Sequence, residues 1–68
     1  MDVKRQLAQN VRKLRTKAGW SQEELAFEAG IHRTYISDIE RGARNPTITV
    51  VERLASTLGV MPWELLRP

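Results

Sequence analysis

The sequence has no cysteine, which removes disulfides, thiolate metal sites and a cysteine nucleophile together. Histidine occurs once, at position 32, and a lone histidine in a turn is ordinarily just a turn residue. Neither a paired-carboxylate pocket nor a glycine-rich phosphate loop can be read from the chain, and a metal ion would lack ligands. Aromatic residues make up only 6%, too few for the exposed stacking platform that RNA recognition uses. Uninterrupted apolar runs fall well short of the ~20 residues of a membrane span. Met1-Asp2-Val3-Lys4-Arg5 has no signal-peptide core, so the expected location is cytoplasmic, without a membrane partner.

What remains is a chain of 68 residues, 41% hydrophobic and 28% charged, proportions suited to a globular fold. The length fits a single domain, 1–68, and leaves little material for a concave catalytic site, so no enzyme is expected. A core of this size contributes only ~3–5 kcal/mol, which makes self-association or a larger parent chain a reasonable expectation. The net charge of +3 is unevenly spread. Lys4, Arg5, Arg12, Lys13, Arg15 and Lys17 face only Asp2 in the first twenty residues, whereas Glu23, Glu24 and Glu28 follow with no cation. Arg33, Arg41 and Arg44 then restore a basic balance against Asp38 and Glu40. Such interleaving suits local basic contact points, and it permits nucleic acid as a partner without demanding it.

Gly19, Gly30, Gly42 and Gly59 divide the chain, and apolar periodicity fills the intervals. Val3, Leu7, Val11, Leu14 and Ala18 recur at steps of four, four, three and four, one stripe of a helix over about 3–18. Ser21 and Glu24 have capping-box spacing, with Trp20 and Leu25 placed as a hydrophobic staple, so a helix runs from Gln22 to Ala29. From Arg33 to Arg41 a helical projection puts Ile36 and Ile39 on one side, with Tyr35 and Glu40 at its margins. Arg33, Thr34, Ser37, Asp38 and Arg41 fill the other side. His32 is a poor N-cap for this helix. Thr47-Ile48-Thr49-Val50-Val51 is β-branched enough for a strand, but Thr49 and Glu52 are spaced as a capping box. Val51, Leu54, Ala55 and Leu58 then continue at helical steps. Pro62 opens a last short helix. The expected fold is all-α, five short helices around one core.

The helix pair around Gly30 carries the functional information. Ala26 is small enough for the next helix to cross closely, and Gly30 supplies the positive φ of a tight turn. Leu25, Ile31, Ile36 and Ile39 fill the wedge between the helices, and Ala29 is the remaining position of the pattern. Seven agreeing positions over residues 22–41 make a helix-turn-helix. The chain resembles the Cro/lambda-repressor type of helix-turn-helix, the Xre-like small regulators of bacteria and phages. The resemblance spans about residues 5 to 66 and rests on three stretches: Ser21 to Ala26, Arg33 to Gly42, and Asn45-Pro46-Thr47 with Leu54-Ala55 and Leu58-Gly59-Val60. Arg33-Thr34-Tyr35-Ile36-Ser37, with Arg44-Asn45 beyond it, is most similar to the controller proteins of restriction–modification systems.

The resemblance implies a compact five-helix DNA-binding domain that regulates transcription. The helix from Arg33 would be its recognition helix, with Arg33 and Thr34 at base-contacting positions and Ser37 and Asp38 facing the same groove. Gln22 matches a phosphate clamp, and Tyr35, Arg44 and Asn45 match positions that touch backbone or neighbouring bases. Glu40 matches the partner of an arginine at position 15 in a structural ion pair. The chemistry of the residues agrees. An arginine in the first turn of a solvent-facing helix can give two donors to guanine O6 and N7, and Thr34 offers a methyl to thymine or a hydroxyl to phosphate. Asp38 repels phosphate, so it either orients Arg33 or Arg41, accepts from cytosine N4, or has no role. Tyr35 can pack at the core margin or bond a phosphate.

Met61, Trp63, Leu65 and Leu66 are more apolar than a last helix needs. Trp63 and Leu66 are expected in the core, and Met61, Trp63 and Leu65 are assigned to a dimer interface, Trp63 serving both. The reading is a homodimeric regulator of double-stranded DNA at a roughly palindromic operator, with no cofactor and no small-molecule effector. The alternative is an antitoxin-like or adaptor module that uses the same fold to bind protein.

Overall fold

The computed structural model describes residues 2–68; Met1 of the expected domain lies outside them. Five helices make up the regular structure of the described residues: α1 (Val3–Lys17), α2 (Gln22–Ala29), α3 (Arg33–Glu40), α4 (Ile48–Leu58) and α5 (Pro62–Leu66). They surround one core in which Leu7, Val11, Leu25, Ile36, Leu54 and Leu65 are buried. Helix α1 packs on α3 and α5, α2 crosses α3, and α4 closes the far side against α5 and α2.

Local chemistry sets most of the helix ends. Asp2 accepts from the Arg5 amide at 3.1 Å and starts α1. Ser21 and Glu24 form the capping box, with Glu24 N to Ser21 Oγ at 3.0 Å and Ser21 N to Glu24 Oε1 at 2.8 Å. After α2, Gly30 turns left-handed at φ 69°. The Gly30 amide then donates to the Phe27 carbonyl at 3.3 Å and the Ile31 amide to that of Ala26 at 2.9 Å. The second bond spans five residues and wraps the chain into the turn, which aims α3 across α2.

Three expectations at helix ends need correction. His32 does cap α3, because its Nδ1 accepts from the Thr34 amide at 3.1 Å. Helix α4 begins two residues earlier than a box at Thr49 and Glu52 would place it. Thr47 is its N-cap, its Oγ1 accepting from the Val50 amide at 3.2 Å. Thr47, extended at φ −70° and ψ 160°, has the backbone an N-cap needs, and its hydroxyl takes the role expected of Thr49. In α5 the order of burial is reversed. Leu65 is fully buried, whereas Trp63 is 59% exposed and Leu66 also faces solvent. The five-residue helix is anchored from α1, where the Asn10 side-chain amide donates to the carbonyls of Leu65 at 2.9 Å and Arg67 at 2.8 Å. Those bonds satisfy carbonyls that a helix end leaves open, and they hold α5 with Leu65 inward.

Candidate nucleic-acid interface

Helix α3 carries its apolar side, Ile36 and Ile39, into the core and leaves Arg33 and Thr34 exposed in its first turn. No ion pair among the described residues engages Arg33. Ser37 and Asp38, one turn on, are half-buried. Arg44 and Asn45 stand exposed on the loop that follows.

Behind this surface lies a buried charge cluster. The Glu40 side chain is 1% exposed and that of Arg15 13%. Arg15 Nε donates to Glu40 Oε2 at 2.6 Å and its Nη2 to Oε1 at 3.0 Å, a two-point contact between α1 and α3. The third nitrogen, Nη1, donates to the Trp20 carbonyl at 2.7 Å, so the guanidinium also fixes the approach to α2. The hydrogen bond to Glu40 raises the Arg15 pKa further above the usual guanidinium range, against the opposing effect of burial. Gln22 Nε2 adds a donor to Glu40 Oε1 at 3.1 Å, and Arg12 lies 3.8 Å from the same oxygen. Gln22 is thus tied by one amide hydrogen at the start of α2. Its second hydrogen and its oxygen remain available beside the free amides of the helix end.

A second polar network borders the exposed face. Asp38 Oδ1 accepts from Arg41 Nη2 at 2.5 Å and Oδ2 from Arg44 Nη2 at 3.3 Å. The Arg44 guanidinium lies over the Tyr35 ring, 4.2 Å from its centroid. The Tyr35 hydroxyl accepts from the Thr47 amide at 3.3 Å. The Arg41 hydrogen bond holds the Asp38 carboxyl below the usual carboxylate range, and Arg44 adds to this while partial desolvation opposes it. Because the folded pKa is depressed, this pairing contributes above the ordinary carboxylate pKa and fades only as pH falls through the lowered value.

Arg33, Thr34, Ser37 and Asp38 therefore share one face, with Tyr35, Arg44 and Asn45 along its α4 side and Gln22 at the start of α2. Of the residues assigned to an interface at α5, Met61 and Trp63 are exposed, but Leu65 is a core residue and has no surface to offer. Two residues left out of that interface are open to solvent: Ile48 is 88% exposed, and Val3, placed on the apolar stripe of α1, is 43% exposed. Together with Leu7, Pro46, Val51 and Leu66 these line a mainly apolar groove of about 240 Å³, with Lys4 and Asn45 also on its wall. Periodicity alone misplaces Ile48: it stands three residues before Val51 and seven before Ala55, on the inward side, yet as the first residue of α4 it faces solvent. Asn10 was missed too, although it is a polar residue beside the Leu7–Val11–Leu14 stripe. No cluster of three His, Asp or Glu side chains fit to hold a metal occurs among the described residues, and no described helix is long and apolar enough to cross a membrane.

The model of the helix-turn-helix family HTH_3 matches residues 11–64, which take in α2, α3 and the turn between them. The chain belongs to this helix-turn-helix family. Among similar proteins, control protein C.BamHI of Bacillus amyloliquefaciens is 54% identical over 59 residues, covering 85% of this chain and 73% of that protein. The crystal structure of the restriction–modification controller protein C.AhdI of Aeromonas hydrophila superposes with a TM-score of 0.87 at 42% identity, over 91% of this chain and 94% of that one. SinR, a master regulator of biofilm formation solved in complex with DNA, superposes with a TM-score of 0.86 at 35% identity, over 90% of this chain and 98% of that one. Membership places the chain among DNA-binding transcriptional regulators, with relatives that include restriction–modification controllers.

Proposed function

We propose that this protein is a sequence-specific regulator that binds a roughly palindromic operator as a homodimer, with α3 of each copy in the major groove. The observation that carries the reading is the unengaged polar start of α3, where Arg33 and Thr34 project from a helix whose other side is locked in the core. A helix of this kind can enter the ~12 Å major groove, and an arginine in its first turn reaches guanine O6 and N7. Gln22, Arg44 and Asn45 flank it at positions suited to phosphates, which would supply most of the affinity and its salt dependence.

The experiment is selection from random duplex oligonucleotides, followed by binding of the selected site. Arg33→Ala is expected to weaken that site by ~1–3 kcal/mol and to flatten preference at one base position. An unchanged preference in the variant would remove Arg33 from base reading. Failure of the selection to enrich any duplex would favour the adaptor alternative.

The dimer surface in this reading is the apolar groove edged by Ile48, Val3 and Leu66, continued by Trp63 one turn from Leu66. Exposed large apolar side chains gathered at one place mark an interaction site, and a two-fold contact sets the recognition helices about 34 Å apart, one turn of B-DNA. Ile48→Asp should convert dimer to monomer in sedimentation and leave the melting of dilute protein, below the concentration at which copies associate, nearly unchanged. Wild-type protein that sediments as a monomer at high micromolar concentration, and binds DNA as one, would overturn the dimer.

A further inference from the structure

The carboxylate of Asp38 sits on the face that meets phosphate, where a negative charge ought to weaken binding. Both of its oxygens are occupied, Oδ1 by Arg41 and Oδ2 by Arg44, and its side chain is 19% exposed against 65% and 43% for the two arginines. Its backbone holds the same loop, since the Ala43 amide donates to the Asp38 carbonyl at 2.9 Å. Arg44 is steadied from its other side by the Tyr35 ring, which is itself fixed through its hydroxyl to the Thr47 amide. Each oxygen keeps a second lone-pair site, but both oxygens are already committed to an arginine of this same surface. The carboxylate thereby orders two long side chains that would otherwise sample many rotamers.

We propose that Asp38 reads no base and is a positioning residue, holding Arg41 and Arg44 as a preformed two-arginine clamp for the DNA backbone beside the recognition helix. The inference rests on the DNA-binding reading above and adds Arg41 to the interface. Two ordered guanidiniums lose less freedom when they engage phosphates, and that saving is set against the repulsion of one carboxylate. The clamp is indifferent to sequence because phosphates carry no base identity.

The test uses the selected duplex and single-base variants of it, titrated over a range of salt concentrations with wild type, Asp38→Ala, Arg41→Ala/Arg44→Ala and the triple variant. Urea unfolding of each confirms that the fold is retained. The expected result is that Asp38→Ala weakens every duplex by about tenfold despite removing a negative charge. The Arg41→Ala/Arg44→Ala variant lowers the salt dependence by about two phosphate contacts. In that background the further loss of Asp38 no longer weakens binding, and Asp38→Glu restores part of the affinity. Three outcomes overturn the clamp: tighter binding of all duplexes by Asp38→Ala, a loss confined to one base position, or an undiminished loss in the arginine-free background. If wild-type protein binds no duplex at all, the DNA-binding reading itself falls, and the clamp falls with it.

Discussion

Glu40→Ala should leave the protein largely unfolded at room temperature, with a loss of ~3–5 kcal/mol in urea unfolding. The reason is the company Glu40 keeps. Its removal strands the Arg15 guanidinium, which is mostly buried between α1 and α3, and also removes the partner of Gln22. Breaking one side of a buried pair costs more than the pair is worth, because the surviving charge stays desolvated. For a domain whose core supplies about the same amount, the deficit is decisive. Arg15→Met/Glu40→Leu, which removes both charges and keeps the volume, should recover much of the loss. A decrease under about 1 kcal/mol for the single variant would rank the contact with exposed ion pairs. The raised Arg15 pKa gives no alkaline weakness at working pH. A folded pKa above the unfolded one contributes fully below the unfolded value and is lost only as pH rises through the folded one.

Leu65→Ala is the second large effect, a destabilisation of ~2–5 kcal/mol measured on dilute protein, below the concentration at which copies associate. Leu65 is fully enclosed, so its truncation opens a cavity where α5 meets α1 and α4. Trp63→Ala, by contrast, should hardly move the unfolding midpoint, because that ring is mostly in solvent. Were Leu65 instead an interface residue, its substitution would alter association and leave the isolated domain intact.

The contrast between these two residues shows where sequence reading stops. Long helices with a repeated stripe, such as α1 and α4, declare their inward face through periodicity, and α2 and α3 do so through the steric demands of the turn at Gly30. Helix α5 has five residues, less than two turns, so no period exists to separate Leu65 from its neighbours. Its orientation comes from Asn10, 55 positions away, and long-range anchoring of that kind leaves no local pattern. The candidate site divides the same way. The exposure of Arg33 and Thr34 follows from the helical projection. The engagement of Asp38 by two arginines depends on how the loop of residues 41–47 folds back, and glycine and proline there mark a loop without fixing its path. His32 looked a weak cap on average statistics, yet one ring nitrogen in the right place suffices.

Asn10 grips the backbone at both Leu65 and Arg67, and this gives the chain a defined exit. Anything joined after Pro68 leaves from a fixed point and in a set direction beside α1, instead of swinging from a frayed tail. A fluorophore or fusion partner attached there would report the separation and orientation of two such domains without a long uncertain tether between label and fold.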